Sequence, residues 1–276
     1  MRVKNKFSEI LMAVSTWAAA AITIGTLAFI VGFILAKGIP YIKPSLFSLT
    51  YNSNNVSLMP AMISTVIMTL LSLLIAAPLG IFSAIFLVEY AKRGSKTVGV
   101  IRMTTETLSG IPSIVYGLFG MLFFVTFLGW GFSLLAGAFT LAIMILPLIM
   151  RSSEEALEAV PDTYREGSFG LGTGKLRTVF QIILPSAMPG ILAGIILSIG
   201  RIVGETAALI YTAGTVAQIP TGPMQSARTL SVHMYALSSE GLHTNEGYAT
   251  AVVLLLVVVL INTISAKIAK RIGGTA

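Results

Sequence analysis

Arg201 and Glu205 stand inside an otherwise uncharged hydrophobic stretch, which makes them the residues most capable of chemistry in this chain. Four residues apart, they fall on one face of a continuous helix, with the arginine N-terminal to the acid. If the stretch spans a bilayer, each charge costs about 2.5–3.5 kcal/mol near the centre, so it must face protein or water and usually has a partner. Two readings follow. The pair can lock its helix to its neighbours, or it can serve a pathway in which Arg201 offers a planar donor fork to oxyanion oxygens while Glu205 orients it and limits how tightly the anion is held. The fork alone does not tell one oxyanion from another.

A second constellation lies between two hydrophobic stretches. Glu166, Gly172, Ile182, Leu184 and Pro185 have the spacing E-x5-G-x9-I-x-L-P. A short charged segment that leaves a membrane and returns at once suits a docking helix better than an active site. Gly170, Gly172, Gly174 and Lys175 evoke a phosphate loop, but that motif needs glycine at Phe169 and Ser or Thr at Leu176, so the chain carries no ATP site of its own. His233 and His243 lack companions for a metal site, and each reads as a solvated or packed histidine. Glu154, Glu155, Glu158 and Asp162 read as a solvated helix face that can pair with basic residues of a partner. Glu106, four residues after Arg102, reads as half of an interfacial ion pair, and Gly110 and Pro112 in the next turn can mark a bend.

The elements that must hold these residues are membrane helices. Hydrophobic residues make up 55% of the chain and charged ones 11%, and several uncharged runs exceed the roughly 20 residues that a spanning helix requires. Six spans result: residues 10–36, 61–88 with a kink at Pro78, two helices within 107–150 joined by a tight turn at Gly129, Trp130 and Gly131, then 186–218 and 248–266. The first run is too long for a cleaved signal and reads as a retained anchor. With the N-terminus inside, fourteen basic residues fall inside and only Lys37, Lys43 and Arg228 outside, with Arg201 in the membrane. The net charge of +7 therefore reflects the positive-inside rule, not nucleic-acid binding. Arg201 falls near the middle of its span by this count. Gly190 with Gly194 and Gly200 with Gly204 are GxxxG pairs suited to close packing at a subunit interface. The outer segment 219–247, with a short helix over 224–237, is either a plain connector or a contact for an extracytoplasmic protein.

The E-x5-G-x9-I-x-L-P spacing resembles the EAA loop of ABC-importer permeases, with Gly167 and Ser168 replacing its two alanines. The blocks LVEYAK (87–92), GIPSIVYGLFG (110–120), LPLIMRSSEEALEAV (146–160) and GRIVGETAA (200–208) are similar to the A-type permease subunit of bacterial phosphate importers. This resemblance implies an all-α membrane protein with six transmembrane helices and a type I ABC-importer permease fold. Residues 1–60 would form a cytosolic tail, first helix and outer loop, 61–266 the permease domain with its coupling loop at 151–185, and 267–276 a cytosolic tail. It also implies a multi-pass protein of the bacterial cell membrane with both termini cytosolic. Its partners would be a homologous C-type permease, two copies of an ATPase that uses the ATP, and an extracytoplasmic phosphate-binding protein. The chain itself would carry no cofactor and no metal. Arg201 and Glu205 would line the phosphate pathway, and Glu166, Gly172, Ile182, Leu184 and Pro185 would couple it to the ATPase. Another oxyanion as cargo, or a membrane scaffold for phosphate-dependent signalling, is the alternative.

Overall fold

A computed structural model describes residues 6–92 and 94–273, the side chains of residues 6–8 and 268–273 excepted. Arg2, Lys4 and Arg93 of the charge count, the side chains of Lys6, Lys270 and Arg271, and residues 274–276 of the C-terminal tail lie outside the described residues. The helices are α1 (Lys6–Gly38), α2 (Met59–Ile85), α3 (Lys96–Ser109), α4 (Ser113–Gly120), α5 (Leu134–Glu158), α6 (Asp162–Gly170), α7 (Lys175–Thr178), α8 (Leu184–Gly204), α9 (Ala207–Thr212), α10 (Leu230–Glu240) and α11 (Thr244–Gly273). Five helical runs among the described residues are long and apolar enough to cross a membrane, and a sixth crossing is available from α3 with α4.

That sixth crossing is not straight. The helix breaks at residues 110–112, and α3 meets the α4 segment at 99°. Pro112 has no amide to donate and disfavours helix at Ile111, so the bend falls where Gly110 and Pro112 suggest it. From there α4 widens into a π-helical stretch over Met121–Phe127. The turn that follows uses Gly129 at φ 68° and Gly131 at φ 63°, conformations that suit glycine, and Ser133 then caps α5 by accepting from the Ala136 amide at 3.2 Å.

The fifth span differs from the sequence reading at both ends. Helix begins at Lys175 and runs without interruption to Gly204, so residues 175–185 belong to the spanning rod and not to a loop. Residues 151–158 likewise belong to α5. The connecting segment is therefore 159–174, with α6 inside it. Pro185 is tolerated within this rod because Val179–Ile183 forms a π-helical turn just before it, and a proline cannot donate to the carbonyl four residues back. Pro78 in α2 and Pro147 in α5 are likewise carried inside continuous helices.

The core sits along α5. Two thirds of its spanning stretch is buried (67%), against none of α1, which makes α5 the central post and α1 a peripheral helix. Leu141, Met144, Ile145 and Ile149 are fully buried with Met68 and Ala76 of α2 and Leu209 of α9. Small residues permit the approach: a Cβ on Gly80 of α2 would stand 2.9 Å from Ile149 Cγ2. A second core joins α2, the foot of α5 and the start of the α8 rod through Ile85, Leu157, Val179 and Ile183. α1 rests on α11 at Gly38, whose missing side chain leaves room for Val252 and the Tyr248 backbone.

Candidate transport and coupling sites

The α8 helix ends at Gly204, and Glu205 is extended at φ −71°, ψ 127°. Its carboxylate Oε1 accepts a hydrogen bond from the Ala208 amide at 3.0 Å, capping α9, and its carbonyl accepts from the Ser231 hydroxyl at 2.6 Å. Glu205 is buried by these contacts. The expectation that Arg201 and Glu205 share one helical face is thus overturned: the helix stops between them, because the carboxylate satisfies a free amide of the next helix instead of facing back along α8. No ion pair joins the two residues among the described ones. Nor does Arg201 lie midway along its helix; it is in the last turn of α8.

Arg201 makes no hydrogen bond or ion pair among the described residues. It is half-buried and lines an open cleft of about 690 Å³ with Leu148 of α5, Ala193, Ile196, Leu197 and Gly200 of α8, and Asn262 of α11. Its charge acts on Tyr116, whose hydroxyl donates to the Leu108 carbonyl at 2.7 Å. The two sequence blocks carrying Tyr116 and Arg201 are packed together. A Cβ on Gly117 would stand 2.7 Å from Ala208 Cα, and one on Gly120 would collide with Thr140 Oγ1 and come within 2.6 Å of Thr212 Cγ2. The glycines of the first block therefore exist to admit the short helix that Glu205 caps.

The GxxxG pairs divide. Gly190 and Gly194 face Ala156 and Ser152 of α5, so their close packing is internal to the chain and not at a subunit interface. Gly200 and Gly204 have nothing within 4 Å of a built Cβ and border the open side where Arg201 lies.

Above α9 the outer segment folds back over the bundle. Its helix starts at Leu230, six residues later than expected, because residues 223–227 are spent capping other elements: the Pro223 and Gln225 carbonyls accept from the Leu135 and Leu134 amides at 2.9 and 2.8 Å. Arg228 is buried, donating from Nε to the Thr215 carbonyl at 2.7 Å and facing His233 Nδ1 at 3.2 Å, with the Tyr51 ring 5.4 Å away. His233 is the packed kind of histidine. Burial, and then the Arg228 charge, push its pKa down to about 4.

At the opposite end, charges are paired within the chain. Arg102 donates to Glu154 at 2.6 Å and to Glu158 at 2.8 Å, not to Glu106 as its spacing suggested, because α3 lies across the foot of α5. Arg151 pairs with Glu155 and Arg165 with Asp162. The acidic group expected to be a solvated face for a partner is thus engaged by the chain's own arginines. Sequence reasoning missed the most buried of these pairs. Arg165 donates to Glu89 Oε1 from Nε at 3.0 Å and from Nη2 at 2.7 Å, and also to the carbonyls of Val160 and Leu157, with the two side chains only 15% and 7% exposed. Glu89, a lone acid just after the second apolar run, was the available signal.

The expected coupling residues separate into two groups. Glu166 is exposed on α6. Gly172, at φ 78°, terminates that helix: its amide donates to Phe169 O at 2.9 Å and the Thr173 amide to Ser168 O at 3.1 Å, the double bond of a Schellman cap. Nothing lies within 4 Å of a Cβ built there, and Leu171 and Leu176 beside it are 87% and 65% exposed. Ile182 and Leu184 instead pack into the lower core, with Pro185 exposed beside them on the rod. The first group can meet a partner; the second can transmit what the first receives.

The family model described as binding-protein-dependent transport system inner membrane component matches residues 76–273. The chain belongs to this family of permeases. It is 37% identical over 206 residues to the probable ABC transporter permease protein YqgI of Bacillus subtilis (strain 168), covering 68% of this chain and 70% of that protein. Phosphate transport system permease protein PstA 2 of Mycobacterium tuberculosis is 36% identical over 213 residues, 75% of this permease and 70% of the relative. For PstA of Xylella fastidiosa (strain 9a5c) the figures are 37% over 206 residues, with 71% of each chain. Among solved structures, a bacterial alginate ABC transporter bound to its periplasmic protein aligns over 99% of both chains with a TM-score of 0.71 at 15% identity. The inward-facing MetNI methionine ABC transporter aligns over 77% of this chain and 93% of its own with a TM-score of 0.61 at 19% identity. These structures share the fold, that of the type I ABC-importer permeases.

Proposed function

We propose that this permease forms half of the translocation pathway of an ATP-driven importer of inorganic phosphate, with Arg201 as the anion-binding group of its half. The unpaired guanidinium in the open cleft carries this reading. A charge placed among apolar helices without a protein partner is costly, and an anionic cargo is the partner that offsets the cost. Relatives named as phosphate transport permeases support phosphate as that cargo. Glu205 contributes by holding α9 against α4, and so shapes the site without binding the anion.

The other half is a homologous C-type permease, and two copies of a separate ATPase supply the energy, since ATP is used there and not in this chain. The phosphate-binding protein delivers cargo to the end that carries α10. The end carrying α6, where Arg102, Arg151, Arg165 and Lys175 gather, faces the cytosol, as the positive-inside rule requires, with the protein in the bacterial cell membrane and both termini cytosolic. The ATPase grips the exposed surface around Glu166, Gly172 and Leu176. Because helix runs unbroken from Lys175 to Gly204, about 45 Å at 1.5 Å per residue, a displacement at its foot moves Arg201 at its head. The π-helical turn before Pro185 gives that rod a place to flex, and Ile182 and Leu184 tie it to α2 and α5 there. Closing and opening around the cleft then exposes the site to each side in turn.

The test is uptake by the complete complex in proteoliposomes, with labelled phosphate competed against sulfate and molybdate. ATP-dependent uptake that phosphate alone suppresses at low excess is the expected result. Preference for another oxyanion overturns the cargo, and regulation of a sensor kinase without any uptake favours the signalling scaffold.

A further inference from the structure

Among the described residues, Asn262 is the only other polar side chain lining the Arg201 cleft. It directly follows the uniformly apolar run 251–261 of its span, and its Oδ1 is buried with no hydrogen-bond partner among the described residues. Nor does its Nδ2 donate a hydrogen bond among the described residues. A primary amide left unsatisfied between membrane helices is costly, and a leucine of similar size would not carry that cost, so the amide points to a use. Its level in the fold suggests one. Ser231 at the start of α10 meets the Glu205 carbonyl and its neighbour Leu230 packs with Val253 of α11, so Glu205 and Val253 are roughly level; counted from there, Arg201 is four residues further in along α8 and Asn262 nine residues further in along α11, about 6 Å against about 14 Å. The cleft therefore has a charged polar group at its outer end and a neutral one deeper, with apolar side chains between.

We propose that Asn262 is the second polar station of the anion path, receiving the oxyanion from Arg201 and passing it toward the end that carries α6. This rests on the reading of Arg201 as a cargo contact. The chemistry is graded: the guanidinium captures the anion with charge-assisted hydrogen bonds, while the carboxamide offers N–H donors without charge and so holds it weakly enough to release it. The same carboxamide carries an acceptor oxygen, which can take the O–H of a protonated phosphate; sulfate at neutral pH has no such proton to give. Rotation about the terminal torsion exchanges which end of the amide faces the cleft.

The experiment compares Asn262→Gln, Asn262→Leu and Asn262→Asp in the complete complex, measuring phosphate uptake per assembled transporter and ATP hydrolysis stimulated by the loaded binding protein. The expected order of uptake is native, Gln, Leu, Asp. Leucine should lower uptake by roughly ten-fold, the worth of one hydrogen bond of about 1.4 kcal/mol, with stimulated hydrolysis retained, and aspartate should lower it further by repelling the anion. An amide that merely holds the helices together would rank aspartate close to asparagine and let hydrolysis and uptake fall in step; that result, or uptake near native in the leucine variant, overturns the inference. If the leucine variant does not assemble, Gln against Asp decides by the same criterion. Native complex assayed alongside separates the two claims: robust native uptake with an indifferent Asn262 defeats this inference alone, whereas absence of any oxyanion uptake by the native complex defeats the cargo reading and this inference with it.

Discussion

Arg165 and Arg201 are both arginines held among hydrophobic helices, yet their surroundings are opposite. Arg165 meets Glu89, Asp162 and two backbone carbonyls at the foot of the bundle, and most of its side chain is withdrawn from solvent. Arg201 meets no acceptor among the described residues and borders an open cleft. The first arrangement uses up its donors inside the chain and can only hold elements together: it fastens the end of α2 to α6 and to the last turn of α5. The second leaves donors free for something the chain does not contain. Pairing, more than burial, separates the structural charge from the one we propose for the anion path.

Removing the paired charge should cost the most. Arg165→Ala leaves Glu89 buried without a partner, a situation worth roughly 3–5 kcal/mol, so the expected outcome is a sharply lower melting temperature and poor recovery of the complex. Arg165→Lys should be only a partial rescue, since an ammonium has three N–H donors where the guanidinium makes five hydrogen bonds, two of them to Glu89. If Arg165→Ala assembled and melted like the native protein while losing uptake, the contrast with Arg201 would collapse.

Arg228 sharpens the comparison because its side-chain partner is a neutral imidazole. His233 has a folded pKa of about 4 against 6.5 unfolded, so above pH 6.5 it is neutral in both states and its surroundings are undisturbed. As pH falls from 6.5 toward 4 the unfolded chain binds a proton that the folded one does not, and stability declines, by at most about 3 kcal/mol. The melting temperature should drop across that window and the drop should shrink in His233→Leu. An equal pH dependence in that variant would assign the loss elsewhere.

Gly172→Val should have a smaller and local effect. A branched residue forced to φ 78° costs about 1–2 kcal/mol, which loosens the α6 cap without touching the core. Global melting should barely change while co-purification of the ATPase and uptake fall. Smallest of all is Glu205→Gln: the amide oxygen can still accept from the Ala208 N–H, so uptake should stay within about two-fold of native, a change of roughly 0.4 kcal/mol. A loss as deep as that of an Arg201 variant would restore Glu205 to the anion path.

Much of the fold was legible because hydropathy and punctuation act locally. The apolar runs marked the spans, Gly129 and Gly131 marked the turn, and Gly110 with Pro112 marked the bend. The end of α8 was not legible, since residues 186–218 stay uncharged but for Arg201 and Glu205, and nothing in the hydropathy announces that Glu205 finds a better use as a cap for α9. That depends on α4 offering glycines to receive α9, which is a tertiary fact. The salt bridges of the foot were hidden for a related reason. Arg102 could be matched to Glu106 by spacing along one helix, but its true partners are 52 and 56 residues away, brought near by the 99° bend. The spacing singled out Gly172 for coupling to a partner, whereas the Schellman geometry that the glycine provides for its own helix was not readable there.

The most direct test of the distinction is Arg201→Gln, with Arg201→Lys beside it, assayed in the complete complex for melting temperature, stimulated ATP hydrolysis and phosphate uptake. Because Arg201 has no partner among the described residues, removing its charge strands no buried acid there, and melting should stay at or slightly above the native value. Uptake should fall by roughly ten- to hundred-fold, the worth of a hydrogen bond to a charged group, with lysine recovering only part of it. Melting lowered as in Arg165→Ala, or uptake near the native rate with glutamine at this position, would contradict the account.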